Sequence, residues 1–218
     1  MSLKRKIIEY FVVRIGAYID AHSRTIAQRT MPVFANKPGN CTIELPRRIT
    51  NSKRITMGDN VSLGPGCWLI PITEYPSKKM SHPELEIKQQ QFDPHITIGN
   101  RVTATAHLQI FSQEKVIIED DVMFASNIFI NDGSHGYQKG NVPYKYQPIE
   151  LVSPITIKKG CWIGQNVVIL GGVTIGEYCI IGANSVVKDS VPPNSIAAGN
   201  PARVIKTWDH EANKWKKP

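Results

Sequence analysis

The segment NDGSHG at residues 131–136 places a histidine in a loop bounded by glycines. Neutral imidazole is the side chain best suited to take a proton from a hydroxyl near neutral pH. A positioned base of that kind accounts for about 10²–10⁴ in rate. On residue type alone, His135 is either such a base or a loop histidine with local hydrogen bonds. Asn127, eight residues earlier, could orient the histidine or a bound acceptor, or simply turn the chain. Asp132 could orient His135, bind a hydroxyl or cap a turn. His107 could reach the same cleft. Tyr144 and Tyr146 could line it or merely anchor the loop. Ser134 lies beside His135, but the chain holds no G-x-S-x-G, so no nucleophile elbow is expected. The four cysteines show no CxxC or zinc spacing, so no metal site is expected, and the chain reads as reduced and cytoplasmic.

The elements that must position these residues announce themselves by a period of six. From Ile155 the chain reads ITIKKG, CWIGQN, VVILGG, VTIGEY, CIIGAN, SVVKDS. The first position is apolar in every unit but the last, where Ser185 stands, and the third is always apolar. Gly164, Gly176 and Gly182 fill the fourth. The same phase runs from Ile55, from Ile96 and from Val116, which gives fifteen hexads. A two-residue slip near Glu114 and two excursions, 71–94 and 131–154, interrupt it. Alternating side chains put positions one and three on one face of a short strand. One hexad cannot bury that pair alone, whereas stacked coils can. The pattern therefore predicts an all-β solenoid. Position two then points outward and carries Ile117, Met123, Phe129, Trp162, Val168, Ile180 and Val186, an outer surface apolar enough to suggest an interface.

Of 218 residues, 41% are hydrophobic and 20% charged, which excludes a disordered chain. The net charge of +8 is uneven: residues 1–54 carry +8, residues 55–202 carry −3, and residues 203–218 carry +3. With a non-basic middle and no stacking motif or helix-turn-helix, no nucleic-acid partner is expected. No apolar run is long enough to span a bilayer, and no secretory signal is expected.

The hexads resemble those of the hexapeptide-repeat acyltransferases, and the exit PPNSIAAGNPARVIK at 192–206 closely resembles that family's usual ending. The segment ASNIFINDGSH resembles the matching segment of its galactoside and maltose acetyltransferases. The polysaccharide-modifying branch often has DHxHG here; this chain has DGSHG, so Gly133 replaces the first histidine. The resemblance implies a left-handed parallel β-helix of about five coils with two protruding loops, assembled as a homotrimer. It implies an O-acetyltransferase using acetyl-CoA on a sugar or polysaccharide precursor, free or lipid-linked. His135 is then the base, with Asn127 and Asp132 beside it. His107, Tyr144 and Tyr146 face the acceptor. Trp162, Gly164, Gly182, Ala183, Lys188, Arg203 and Lys206 hold the cofactor, the basic ones on its phosphates. An N-acetyltransferase on a free or nucleotide-linked amino sugar and a non-catalytic trimeric scaffold are the alternatives. A carbonic anhydrase of the same repeat class is disfavoured, because His107 and His135 lack a third, closely spaced histidine.

The boundaries expected are a helical or irregular segment over 1–42, the β-helix over 43–206, and a tail over 207–218 that is solvated or a short helix. Residues 7–19 have an apolar stripe at helical spacing behind Lys4, Arg5 and Lys6. That amphipathic helix packs on the prism or a partner subunit, or meets a membrane surface through residues 4–19, leaving the chain cytoplasmic and membrane-associated.

Overall fold

Most hexads become a strand of two to five residues followed by a turn, two pairs run on as the longer strands Thr103–Ser112 and Met123–Asn131, and three hexads close one coil. In the computed structural model, which describes residues 3–77 and 80–217, these coils stack into a left-handed parallel β-helix with three faces. Residues 1, 2, 78, 79 and 218, which fall in the N-terminal segment, the first excursion and the tail, lie outside the described residues.

The first face starts with Cys41–Ile43 and Val61–Leu63. It continues through the first halves of Thr103–Ser112 and Met123–Asn131, then Trp162–Ile163, Ile180–Ile181 and Ser195–Gly199. The second face holds Arg47–Ile49, Cys67–Pro71, the second halves of the same two long strands, Val168–Leu170 and Val186–Val187. The third is Ile55–Met57, His95–Ile98, Lys115–Ile118, Ile155–Ile157 and Thr174–Ile175, with Val191 bridging to Ile175. The stack thus begins a turn before the first hexad read at Ile55 and makes about six coils.

The inward residues form one continuous core. Ile55, Ile96, Val116 and Ile155 line the third face, and Phe124, Ile163 and Ile181 line the first, all essentially inaccessible to water. Burying each such side chain contributes about 1.5–3 kcal/mol. Cys161 and Cys179 sit in this interior as free thiols, donating to the carbonyls of Gly176 and Pro192 at 3.0 Å.

The outward rows differ by face. The third presents Thr56, Thr97, Ile117, Thr156 and Thr174 in register. The second presents Trp68, Gln109, Phe129, Val168 and Val186, and the first presents Met123, Trp162, Ile180 and Ile196. On the first face Thr42, Ser62 and Thr103 precede Met123 in the row, so the apolar outer surface is concentrated on the second face and the later coils of the first, with Ile117 on the mostly threonine third.

All the interruptions of the six-residue period fall at one edge, between the second face and the third. Both excursions and the slip at Glu114 follow a second-face strand. The expected tail is instead a hairpin: Ala202–Asp209 turns back along Ser195–Gly199, and Lys214–Lys216 pairs with it, packing Trp208 edge-on against Trp215 at 5.2 Å.

The N-terminal helix, α1 (Leu3–Arg29), is longer than its apolar stripe. Pro32 follows its end, and Arg47 binds its last turn, donating to the Ala27 carbonyl at 2.9 Å and to Thr30 Oγ1 at 3.1 Å. A guanidinium there also meets the negative end of the helix dipole. Among the described residues of α1 only Ala27 is buried; Phe11 is 58% exposed and Val13 70%. Of the alternatives for α1, packing on its own prism is thus confined to its last turn. No helix among the described residues is long and apolar enough to cross a membrane.

Candidate functional site

The edge between the second and third faces is where side chains gather. Asp132 ends the second-face strand of its coil and is fully buried. Its carboxylate accepts from the Gln113 amide at 2.6 Å, the Glu114 amide at 3.0 Å and Ser112 Oγ at 2.8 Å, all on the preceding coil. The two extra residues of the slip are thus held by a carboxylate from the coil above. Among the described residues no hydrogen bond joins Asp132 to His135, so the expectation that Asp132 orients the histidine directly is corrected. Its oxygens are committed to the turn.

From Asp132 the chain leaves the prism. Ser134–His135 pairs antiparallel with Ile149–Glu150, and the Gly136 amide donates to the Pro148 carbonyl at 2.7 Å. Gln147 binds the loop from inside, accepting from the Gln138 amide at 2.9 Å and donating to the Gln138 and Val142 carbonyls. His135 therefore rides on a braced ribbon although its side chain is exposed. Among the described residues, no hydrogen bond engages its ring nitrogens.

The first excursion supplies the facing wall. Tyr75 packs edge-on against the His135 ring at 5.0 Å, and its hydroxyl donates to the Lys145 carbonyl. Burial pushes the Tyr75 phenol above its ordinary value, which keeps it a neutral donor. The Gln90 side chain forms a two-way bond with the Ile149 backbone, accepting at 2.7 Å and donating at 3.0 Å. These contacts border a cleft of about 180 Å³ lined by Ile72, Tyr75, Phe111, Gln113, Phe129, Ile149 and, from the departing segment, Asn131 and Gly133 to His135. A mostly apolar pocket with a few converging polar groups suits a small organic ligand.

The other sequence-nominated residues lie apart from this cleft. Tyr146 instead joins the excursions from outside, edge-on to His82 at 5.1 Å, and Tyr144 is exposed. His107 and Asn127 occupy the edge between the first and second faces, with φ of 52° and 61°. Ser112, against which Asp132 sits, lies five residues along the strand from His107, a span of about 16 Å. Within one chain neither His107 nor Asn127 faces His135. Asn127 donates to Asn166 Oδ1 at 3.0 Å, and Asn166 donates to Asn184 Oδ1 at 2.9 Å, forming a ladder up that edge.

The residues nominated for a cofactor fall into three groups. Trp162 is exposed on the outer row of the first face, where Ile180 and Ile196 lead up to Lys206. Lys188 and Arg203 converge on Asp189 at 3.1 and 2.8 Å. The Lys188 bond, with Arg203 beside it, holds the Asp189 carboxyl below its usual range. Gly164, Gly182 and Ala183 sit at the first–second edge. A Cβ on Gly164 would lie 2.7 Å from the Ile181 carbonyl oxygen, and one on Gly182 would lie 2.8 Å from Ala198 Cβ. Close stacking of coils thus already requires these glycines, without any ligand.

Tyr75, Phe111 and Gln113 were not singled out from sequence. Gln113 carried the one available signal, its place at the slip.

The family described as "Bacterial transferase hexapeptide (six repeats)" matches residues 154–189. The "Putative lipopolysaccharide biosynthesis O-acetyl transferase WbbJ" of Escherichia coli is 37% identical over 129 residues, covering 56% of this chain and 65% of its own. The galactoside O-acetyltransferase of the same organism is 38% identical over 119 residues, 53% and 55% of the two chains. A Schizosaccharomyces pombe protein named "Putative acetyltransferase C18B11.09c" is 30% identical over 181 residues, 77% of this chain and 86% of its own. The chain spans 65% and 55% of the length of the first two of these relatives. Among solved structures, a mutant of AntD, an N-acyltransferase from Bacillus cereus in complex with dTDP and coenzyme A, superposes with a TM-score of 0.64 at 22% identity, covering 82% and 87% of the chains, which is a likeness of fold. With the repeat, the coils and a relative matched over most of its length all in agreement, the chain belongs to the hexapeptide-repeat acetyltransferases.

Proposed function

We propose that this protein transfers an acetyl group from acetyl-CoA to a hydroxyl of a sugar or polysaccharide precursor, with His135 as the general base. The observation that carries this reading is the placement of His135: a braced backbone, unengaged ring nitrogens and an apolar cleft beside it. The imidazole takes the acceptor hydroxyl's proton as its oxygen attacks the thioester carbonyl. The C–S bond then breaks, and the proton passes from His135 to the departing thiolate. No covalent acyl-enzyme is involved. An amino-sugar acceptor would use the same base, and offering matched hydroxyl and amino glycosides separates the two.

A homotrimer fits the apolar outer rows of the first and second faces, which self-association would cover. It also gives the dispersed residues a place. Trp162 and Lys206 on one prism, with Lys188 and Arg203 released from Asp189 by phosphates, would flank the acyl donor between neighbouring copies. Asn127 and His107 would then contribute from a neighbour's edge. The exposed stripe of α1, with Lys4, Arg5 and Lys6 before it, fits either a partner subunit or an anionic membrane near a lipid-linked acceptor.

The test is His135→Ala assayed with acetyl-CoA and a galactoside. The expected result is a loss of about 10²–10⁴ in kcat with acetyl-CoA binding retained. Undiminished turnover in the variant would overturn the assignment of the base.

A further inference from the structure

The helix α1 is fastened to the prism at its last turn, where Arg47 bonds to it and Ala27 is buried. With about 100° between successive residues, Ile8, Phe11, Val12, Ile15, Tyr18 and Ile19 fall within about 120° of its circumference. Each of the six is between 48% and 62% exposed. Between Ile8 and Ile19 no charged residue enters that sector; Arg14 stands beside it and Glu9 behind it. A helix draws most of its stability from covering such a face, so this one lacks its cover. The face is about 17 Å long. No helix among the described residues is long and apolar enough to cross a membrane, so whatever covers α1 meets it from the side.

Charge selects the occupant. The helix carries six basic residues against two acidic ones. Lys37, Arg48 and Lys53, on the chain that follows, are exposed as well. Residues 1–54 hold a net +8, whereas residues 55–202 carry −3. A second copy of α1 would bring the same positive charge to the contact along with its apolar face. An anionic surface is drawn by that charge and covers the apolar sector at the same time. We propose that α1 is a docking helix for an anionic lipid surface. It lies flat, with Phe11, Ile15 and their neighbours sunk among the acyl chains. Lys4 and Lys6 in the first turn, and Arg14 at the border of the sector, reach the headgroup phosphates while their aliphatic stems stay along the apolar face. The prism follows as a passenger, tied to the surface through Arg47 and the last turn. This goes beyond acetyl transfer and needs none of it.

The experiment sediments the full chain with vesicles of phosphatidylcholine alone and of phosphatidylcholine mixed with phosphatidylglycerol, at low and at high salt. The wild type is expected to partition onto the mixed vesicles, roughly tenfold or more weakly onto the neutral ones, and to be released as salt rises. Phe11→Glu combined with Ile15→Glu should lose about tenfold or more of that binding. Lys4→Ser combined with Lys6→Ser should lose about fivefold for each charge removed. All four positions are exposed, so the melting temperature should not change. Should the Phe11→Glu, Ile15→Glu variant fail to fold, amide hydrogen exchange in the wild type decides: residues 7–19 should slow with the mixed vesicles and not with the neutral ones. A wild type indifferent to lipid charge, a Phe11→Glu, Ile15→Glu variant that binds undiminished, or exchange that the mixed vesicles leave unaltered overturns the proposal. So does dissociation of an assembly by Phe11→Glu with Ile15→Glu in lipid-free solution, which would assign the face to a second copy. None of these readouts involves acetyl transfer, so the docking helix stands or falls apart from the role of His135.

Discussion

Two edges of the same prism use similar residues to opposite ends. Between the first and second faces, His107, Asn127, Asn166 and Asn184 each turn the chain at φ between 52° and 61°. There the asparagine amides bond along the stack, and Gly66 packs under His107 so closely that a Cβ would lie 2.1 Å from its Nδ1. Between the second and third faces the period breaks three times, and the departures carry Tyr75, Gln113 and His135. An asparagine in register with its neighbours above and below is supplied with partners by the fold. A histidine placed where the register is interrupted keeps its ring nitrogens unengaged among the described residues. The second kind can meet a substrate.

The sharpest test of that contrast is the ratio of activity loss to stability loss. His135→Ala should cost about 10²–10⁴ in kcat with no change in melting temperature, since its ring is exposed and unbonded. If the variant melted early instead, the excursion edge would be as structural as the other.

Asp132→Ala comes next, because it attacks the point where the site edge is joined to the prism. It would leave Ser112 Oγ and the amides of Gln113 and Glu114 without their acceptor inside the fold. The expected loss is about 3 kcal/mol of stability by chemical denaturation. Activity should fall too, since Gln113 and the start of the His135 ribbon hang from the same carboxylate. Asp132→Asn keeps one acceptor oxygen and should lose less of both. A stable but inactive Asp132→Ala would mean that the carboxylate acts on the substrate and not on the turn.

The interior was legible in the sequence because burial repeats with the period. Ile157, Ile163, Ile169, Ile175 and Ile181 declare their positions by spacing alone, and the structure buries each completely. The interruptions were legible as places, but their contents were not. Tyr75 meets His135, and Gln90 meets Ile149 across 59 residues, only because two loops leave the same edge of successive excursions. Spacing along a chain carries no trace of that. For Asp132 the sequence left orienting His135 and capping a turn equally open for a related reason. A carboxylate near a histidine suggests chemistry, and only the coil below reveals three donors already claiming it.

Glycines on the ladder edge give a smaller effect with a clear sign. Gly164→Ala would bring a Cβ to 2.7 Å from the Ile181 carbonyl oxygen, which belongs to backbone that cannot step aside. The expected cost is about 1–3 kcal/mol, read as a lower denaturation midpoint at constant slope. Acetyl-CoA affinity, measured well below the melting temperature, should change little. A variant with wild-type stability and weakened acetyl-CoA binding would instead return Gly164 to the cofactor groove and blur the distinction between the edges.

Asn166 offers the smallest and most diagnostic change, because two substitutions separate its two contributions. It holds φ at 57° and links the amides of Asn127 and Asn184. Asn166→Gly removes the ladder bonds but accommodates the left-handed backbone, whereas Asn166→Ala removes the bonds and strains the backbone as well. The ladder is exposed, so its bonds compete with water and contribute little. Asn166→Gly should therefore cost under about 1 kcal/mol, and Asn166→Ala about 1–2 kcal/mol more. Equal losses in the two would place the stability of this edge in the amide ladder. The expected gap between them would place it in the turn geometry.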